Sequence, residues 1–254
     1  MKLEIAVVSA AGAGTAAAEG ANRVELCSGL ELGGITPSQG LMESSMEHVD
    51  GRLEIHPLIR CRPGDFRYSA SDLDTMVHEI RHLLAQGAHG VVTGALTPSG
   101  EVDVQAVQRL VGSARDANPE AQLTFHRAID HSKDPLAALE QLMELGFTRV
   151  LTSGHEATAG AGLQTLTSMV ERAGSALEVM AGGGLSLEDI PAMHAAGLSA
   201  VHLSAKKTVS TLGEGAISLG GQDGSDPTAY TVTDREVVRA ARAKVNALNL
   251  AMPK

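Results

Sequence analysis

Leu123-Thr124-Phe125-His126-Arg127-Ala128-Ile129-Asp130 runs from a short apolar, strand-like segment straight into His, Arg and Asp. In parallel α/β folds the loops leaving the carboxyl ends of strands build the ligand site. Polar groups crowded at such an end therefore point to a site, whereas polar groups elsewhere usually face solvent. The stretch also sets the unit to look for in the rest of the chain: an apolar run of strand length, a polar end, then a helix.

That unit recurs. Apolar runs lie at 3–8, 23–27, 53–60, 90–93, 123–126, 149–152, 177–181 and 200–204, each separated from the next by a helix-length segment. Eight β-then-α units in about 250 residues predict a single (β/α)8 TIM barrel spanning 1–254, because doubly wound sheets more often stop at about five or six strands. Asp134-Pro135 opens a helix with Leu136, Leu139, Leu142 and Met143 at core spacing, and Gly146 closes it. Ser186 with Asp189, and Thr233 with Glu236, resemble capping boxes. Gly20, Gly87, Gly146 and Gly197 each stand shortly before a strand, where a helix ending in a left-handed residue is expected. Two connections are long enough to act as lids, 28–40 after the second strand and 206–232 after the eighth, and a final helix is expected over 234–248.

Composition narrows the function classes. The 254 residues carry a formal charge of −10 and no run of basic residues that would track nucleic acid. Aromatic residues make up 2% with no Trp, leaving few stacking platforms, while 28 glycines suit tight loops. A small polar or anionic ligand matches this inventory. The chain begins Met1-Lys2-Leu3-Glu4 without an apolar leader and contains no long apolar span, so no membrane partner and a cytoplasmic location are expected. Cys27 and Cys61 lack the spacing of a disulfide framework or a zinc site and are expected as free thiols.

Strand residues alternate in direction, so Glu4 shares a face with Ala6, Glu25 with Cys27, His56 with Leu58 and Arg60, Thr124 with His126, and His202 with Ser204. Strands covered on both faces should read as nearly continuous apolar runs, and an unpaired buried charge costs several kcal/mol. Glu4 and Glu25 are therefore expected to pair with Arg60 or another cation in the barrel mouth. The alternative is a buried ion-pair network that binds nothing.

The strand ends supply candidate ligand groups. Arg60 and Arg62 precede a turn and Asp65, and arginines there can grip carboxylate or phosphate. Arg62 could equally pair with Asp65 to fix the turn; Arg60, at inward parity, is the better candidate clamp. Thr152-Ser153-Gly154, Gly182-Gly183-Gly184 and His202-Leu203-Ser204 end three neighbouring strands in small or hydroxyl residues. Barrels often seat a phosphate after strands seven and eight, although a tight turn would also select a glycine triplet. His126 reads as a general acid/base, a metal ligand or a packed core histidine. Asp130, four residues on, could orient it as carboxylates orient catalytic histidines. Arg127 joins the polar groups of the same mouth. His78, His82 and His194 are expected at the surface, and His56 packed inside.

The segments 23–27 (Arg-Val-Glu-Leu-Cys), Gly33-Gly34 to Thr36-Pro37-Ser38, Ile59-Arg60 to Gly64-Asp65-Phe66, Thr124-Phe125-His126-Arg127-Ala128 with Asp130, 149–154 (Arg-Val-Leu-Thr-Ser-Gly) and 180–184 (Met-Ala-Gly-Gly-Gly) together resemble the CutC copper-homeostasis family. The resemblance covers most of the chain. It implies a cytoplasmic TIM-barrel homo-oligomer with a role in copper handling, binding Cu(I) through cysteine. Carried over by position, the family's strand-two cysteine is Cys27, whereas the cysteine of many relatives after the strand-one Glu is Ala6 here. Cys61 and Pro63 also depart from the family's Arg-Pro-Arg-Gly-Gly-Asp-Phe run.

Two functions stand open at this point. One is a homeostasis protein with copper as its cofactor or cargo at Cys27. The other is a lyase- or isomerase-like barrel enzyme acting on a small anionic or phosphorylated metabolite. In that enzyme His126, Asp130 and Glu25 would be catalytic. Glu4, Arg60, Asp65, Arg127, Thr152, Ser153, Gly182, Gly183, Gly184, His202 and Ser204 would bind the ligand. A blander third option is a scaffold whose polar interior is purely structural.

Overall fold

The computed structural model describes residues 1–210 and 229–250. Eight parallel strands form one sheet: β1 Lys2–Val7, β2 Arg23–Leu26, β3 Glu54–Pro57, β4 Gly90–Thr93, β5 Gln122–Phe125, β6 Arg149–Thr152, β7 Glu178–Ala181 and β8 Ala200–Leu203. The ladder order is β3-β2-β1-β8-β7-β6-β5-β4, and a parallel bridge between Leu58 and Val92 brings its two edges together. Ile59 N–H donates to the Val92 carbonyl at 2.7 Å across that seam. The (β/α)8 barrel is thus the observed architecture.

Several strands stop short of the apolar run that announced them. Arg60, His126 and Ser204 lie just past their strands, where the backbone turns to the mouth; Arg60 N–H, for example, donates to Thr36 Oγ1 at 2.9 Å rather than to a neighbouring strand.

Helices α1 Ala10–Ala18, α2 Gln39–Val49, α3 Ala70–Ala85, α4 Val104–Ala117, α5 Pro135–Glu144, α6 Leu163–Ala173, α7 Ile190–Ala195 and α8 Arg235–Leu250 alternate with or follow the strands. Their apolar stripes close the outer core: Met76, Val77, Ile80, Leu83 and Leu84 in α3, and Ala106, Val107, Leu110 and Ala114 in α4, are buried at helical spacing. The opening of α5 is as expected, with Asp134 accepting from Leu136 and Ala137 N–H ahead of Pro135. Gly20, Gly87, Gly146 and Gly197 all adopt positive φ.

Three expectations need correction. The segment 206–232 begins and ends in strand rather than loop: β9 Lys206–Ser210 pairs antiparallel with β10 Ala229–Thr233, whose Val and Thr residues favour extended backbone. Its centre, 211–228, lies outside the described residues. The cap of α8 is Asp234 rather than Thr233, its carboxylate accepting from Glu236 N–H at 2.9 Å. The helix itself extends to Leu250, beyond the expected end.

Inside the barrel two small apolar groups, Leu151/Met180/Ala200 and Cys27/Leu58/Val92, stand apart from the large outer core. Around them the interior carries buried Glu4, Arg23, Glu25, His56, Thr124, Arg149 and His202, which sets the site.

Candidate active site

Parity puts the first residue of each strand inside, at the amino end of the barrel, and many of these are charged. Arg149 pairs with Glu178, donates to Thr124 Oγ1 at 2.9 Å and to Gln122 Oε1 at 3.0 Å, and Gln122 donates on to Glu54 at 3.1 Å. Arg23, fully buried, bonds Glu4 and lies 3.4 Å from Glu178. Of the expected partners for Glu4, Arg60 or another cation, it is another cation, Arg23, that pairs with it. Arg23 shares a face with Glu25, so parity could have found it; reading only the carboxyl ends of strands missed it.

One level up, His202 Nδ1 lies 2.7 Å from Glu4 Oε1, and its Nε2 lies 3.8 Å from Glu25. Burial works against the Glu4 charge, but Arg23 and His202 prevail and hold its carboxyl far below the usual range. Burial also opposes charge on His202, yet the Glu4 bond and both carboxylates raise it above its ordinary value. Glu25 is pushed up to about 7, chiefly by burial, with Glu4 adding to the shift and His202 opposing it. Basic and acidic groups thus alternate from Arg23 through Glu4 and His202 to Glu25, which borders a cavity at the mouth.

That cavity has a volume of about 260 Å³. Of the expected residues, Glu25, Arg60, His126, Arg127, His202 and Ser204 line it, together with Gly183 and Gly184. Phe66 and several leucines complete the wall. Glu4, Thr152 and Ser153 stand behind it: Thr152 Oγ1 donates to Asp130 at 2.5 Å, and Ser153 Oγ donates to the Glu156 carbonyl. Gly182 backs His202, whose Cβ would lie 2.9 Å from a Cβ added there.

Asp130 does not touch His126. A short 3-10 turn over Arg127–His131 carries it toward the end of β6, where it accepts from Arg127 Nε at 2.8 Å and from Ser153 N–H at 3.0 Å. It positions Arg127, whose guanidinium also donates to Ser153 Oγ at 2.9 Å and lies across Gly183. Gly183 takes φ +95°, and a Cβ there would sit 2.5 Å from the guanidinium carbon, so glycine is required on both counts.

His126 Nδ1 accepts from Ala128 N–H at 3.2 Å, while its Nε2 is buried without a partner in the described residues. Burial, helped by the Arg60 charge, lowers the imidazole to about 3. Arg60 is a strut more than a clamp: it donates to the carbonyls of Gly34 at 2.8 Å, Leu32 at 3.1 Å and Gly64 at 2.7 Å, and stacks on Phe66. Asp65 points away and pairs with Arg62 at 3.0 Å, as the turn reading had it. His56 is packed inside and His78 and His82 are exposed, as expected, whereas His194 is half-buried.

Cys27 is fully buried, its Sγ 3.8 Å from the Val7 carbonyl among Leu58, Val92, Val8 and Leu30. Burial holds the thiol well above its ordinary value, with Glu25 and Glu31 adding to the effect. Cu(I) takes thiolate and thioether donors, and no second soft donor packs in that group. Among the described residues no cluster of three or more His, Cys, Asp or Glu could hold a metal ion. Nor is any described helix long and apolar enough to cross a membrane.

A model of the CutC family matches residues 1–207. A CutC family protein of Vibrio atlanticus (strain LGP32) is 38% identical over 230 residues, covering 90% of this chain and 92% of its own. The copper homeostasis protein cutC homolog of Homo sapiens is 36% identical over 245 residues, 95% of this chain and 88% of its own. The CutC crystal structure from Streptococcus agalactiae superposes with a TM-score of 0.74 at 26% identity, covering 80% of this chain and 98% of that one. Thiamine phosphate pyrophosphorylase from Pyrococcus furiosus, at 13% identity and a TM-score of 0.59 over 97% of this chain and 96% of its own, shares the fold alone.

Proposed function

The chain belongs to the CutC family, and from that premise we propose that its barrel mouth is an active site. The site binds a small anionic, in particular phosphorylated, metabolite and moves a proton on it, as lyases and isomerases do. The observation that carries this reading is Glu25, a buried carboxyl on the cavity wall raised to about 7. A group poised near neutral pH can both take and return a proton, which suits general acid–base work. Arg127, anchored by Asp130 and laid over Gly183, supplies the charge for an anionic end, and Ser204 a hydroxyl.

The size of the cavity suits a metabolite smaller than a drug-sized ligand. No lysine lines it, so the described wall offers proton transfer rather than Schiff-base chemistry.

Direct Cu(I) binding at Cys27, which the family's name invites, does not fit the residues present. The thiol is buried, held protonated and packed among aliphatic side chains. The discriminating experiment titrates inorganic phosphate and dihydroxyacetone phosphate, and separately Cu(I) against a chelator, into wild type, Arg127→Ala and Cys27→Ala. Oxyanion binding lost in Arg127→Ala and intact in Cys27→Ala supports the reading. Tight Cu(I) binding that depends on Cys27, with no oxyanion binding, overturns it.

A further inference from the structure

We propose that His126 is a neutral hydrogen-bond donor whose Nε2–H meets the carbonyl oxygen of the ligand, so that the site selects oxyanion-bearing carbonyl compounds. This rests on the mouth cavity being the reaction site. The argument begins with the backbone. Ala128 N–H donates to His126 Nδ1 at 3.2 Å, which makes Nδ1 the acceptor and requires it to be bare of a proton. The imidazole sits beside the Arg60 guanidinium and in a buried setting, both of which disfavour a second proton. In the neutral ring the proton is then on Nε2.

Nε2 has no acceptor among the described residues, although His126 is 4% exposed and borders the cavity. A buried donor left unpaired destabilises the fold unless a ligand oxygen relieves it. The ring is also fixed. Phe66 stacks at 4.8 Å with a 49° tilt, Phe125 approaches edge-on at 5.8 Å, and Gly94 packs so closely that a Cβ there would lie 2.8 Å from Cε1. An orphaned donor held this rigidly, on a ring that lines the cavity, is preorganised for a ligand acceptor seated against it.

The acceptor best served is a carbonyl oxygen on which negative charge develops. Proton abstraction at the adjacent carbon breaks its C–H bond and passes the proton to the Glu25 carboxylate. The electron pair forms the carbon–carbon double bond, and the carbonyl π pair moves to the oxygen facing His126. Return of the proton from Glu25 to the same carbon, as the oxygen pair re-forms the carbonyl, completes an exchange or inversion at that C–H with no oxidant or reductant. A neutral imidazole keeps its proton and stabilises that oxygen by donation. His126 is thus separated in role from Glu25, and the acid/base assignment drawn from its sequence position gives way to an electrophilic one.

Long-range 1H–15N spectra of the full chain read the proton position directly. At about pH 7 the His126 ring should carry its proton on Nε2 with Nδ1 bare, unchanged between about pH 5 and 8. A bare Nε2, or titration within that range, overturns the proposal. In the second arm, His126→Phe keeps a packed ring without a donor, and His126→Gln restores an N–H. Affinity for dihydroxyacetone phosphate should fall about tenfold or more in His126→Phe and recover in His126→Gln, with inorganic phosphate binding alike to all three. Equal affinity of wild type and His126→Phe for dihydroxyacetone phosphate also overturns it. Failure of both probes to bind wild type would instead sink the cavity as an anion site, while the spectra still decide the His126 proton.

Discussion

His202 Nδ1 lies 2.7 Å from Oε1 of Glu4, 198 residues earlier in the chain, while the other oxygen of that carboxylate takes Arg23. Glu4 is thereby shared between the Arg23 guanidinium and the His202 imidazole at the centre of the barrel. Glu4→Gln keeps the shape but leaves Arg23 buried without its principal counter-charge. Urea unfolding should show a loss of about 3–5 kcal/mol, and the His202 titration midpoint should fall. An unchanged midpoint would mean that Glu4 does not hold the His202 charge.

Glu25 links the site to stability. Its carboxyl moves from 4.5 in the unfolded chain to about 7 in the fold, chiefly through burial. Between those values the folded state holds a proton that the unfolded state has released, so this group's contribution falls as pH rises and levels above about 7. The shift is worth at most about 3 kcal/mol. Glu25→Gln removes this dependence, so wild type should lose stability relative to the variant as pH rises across that window. A difference flat with pH would show an ordinary carboxyl.

Arg60 ties three backbone carbonyls from the loops after β2 and β3. Lysine keeps the charge but cannot span them, so Arg60→Lys should cost about 2–4 kcal/mol. Amide exchange should rise together in the segments around Leu32, Gly34 and Gly64. If ligand affinity fell with exchange unchanged, Arg60 would be a clamp and not a strut.

Cys27 and Cys61 should separate cleanly in alkylation followed by mass spectrometry. Cys61 is half-buried and Cys27 fully so, with burial raising both thiols. Iodoacetamide at about pH 8 should modify Cys61 first and leave Cys27 intact until the chain unfolds. Rapid labelling of Cys27 in the native protein would reopen it as a reactive ligand.

The barrel was legible because its units are local: strand runs, the Asp134 cap and the glycines ahead of strands each declare themselves within a few residues. Strand parity likewise brought Glu4, Glu25, His126 and His202 into one interior. What parity leaves undetermined is which charge meets which. Arg23 was in plain view two positions before Glu25, but its pairing with Glu4 depends on the β1–β2 register, Glu4 opposite Arg23. Asp130 was misplaced because the turn at Arg127–His131 rotates it from His126 to Arg127. Arg60 reads as a clamp from sequence because the carbonyls it binds belong to loops whose paths sequence does not reveal.

Proton transfer at the mouth is tested most directly by solvent exchange. Dihydroxyacetone phosphate is incubated in D2O with wild type and with Glu25→Gln, and deuterium at the carbon beside the carbonyl is followed by NMR. Wild type should catalyse incorporation and Glu25→Gln should fall to the uncatalysed rate. Equal incorporation by both proteins, or none above background with wild type, would contradict an acid–base role for Glu25.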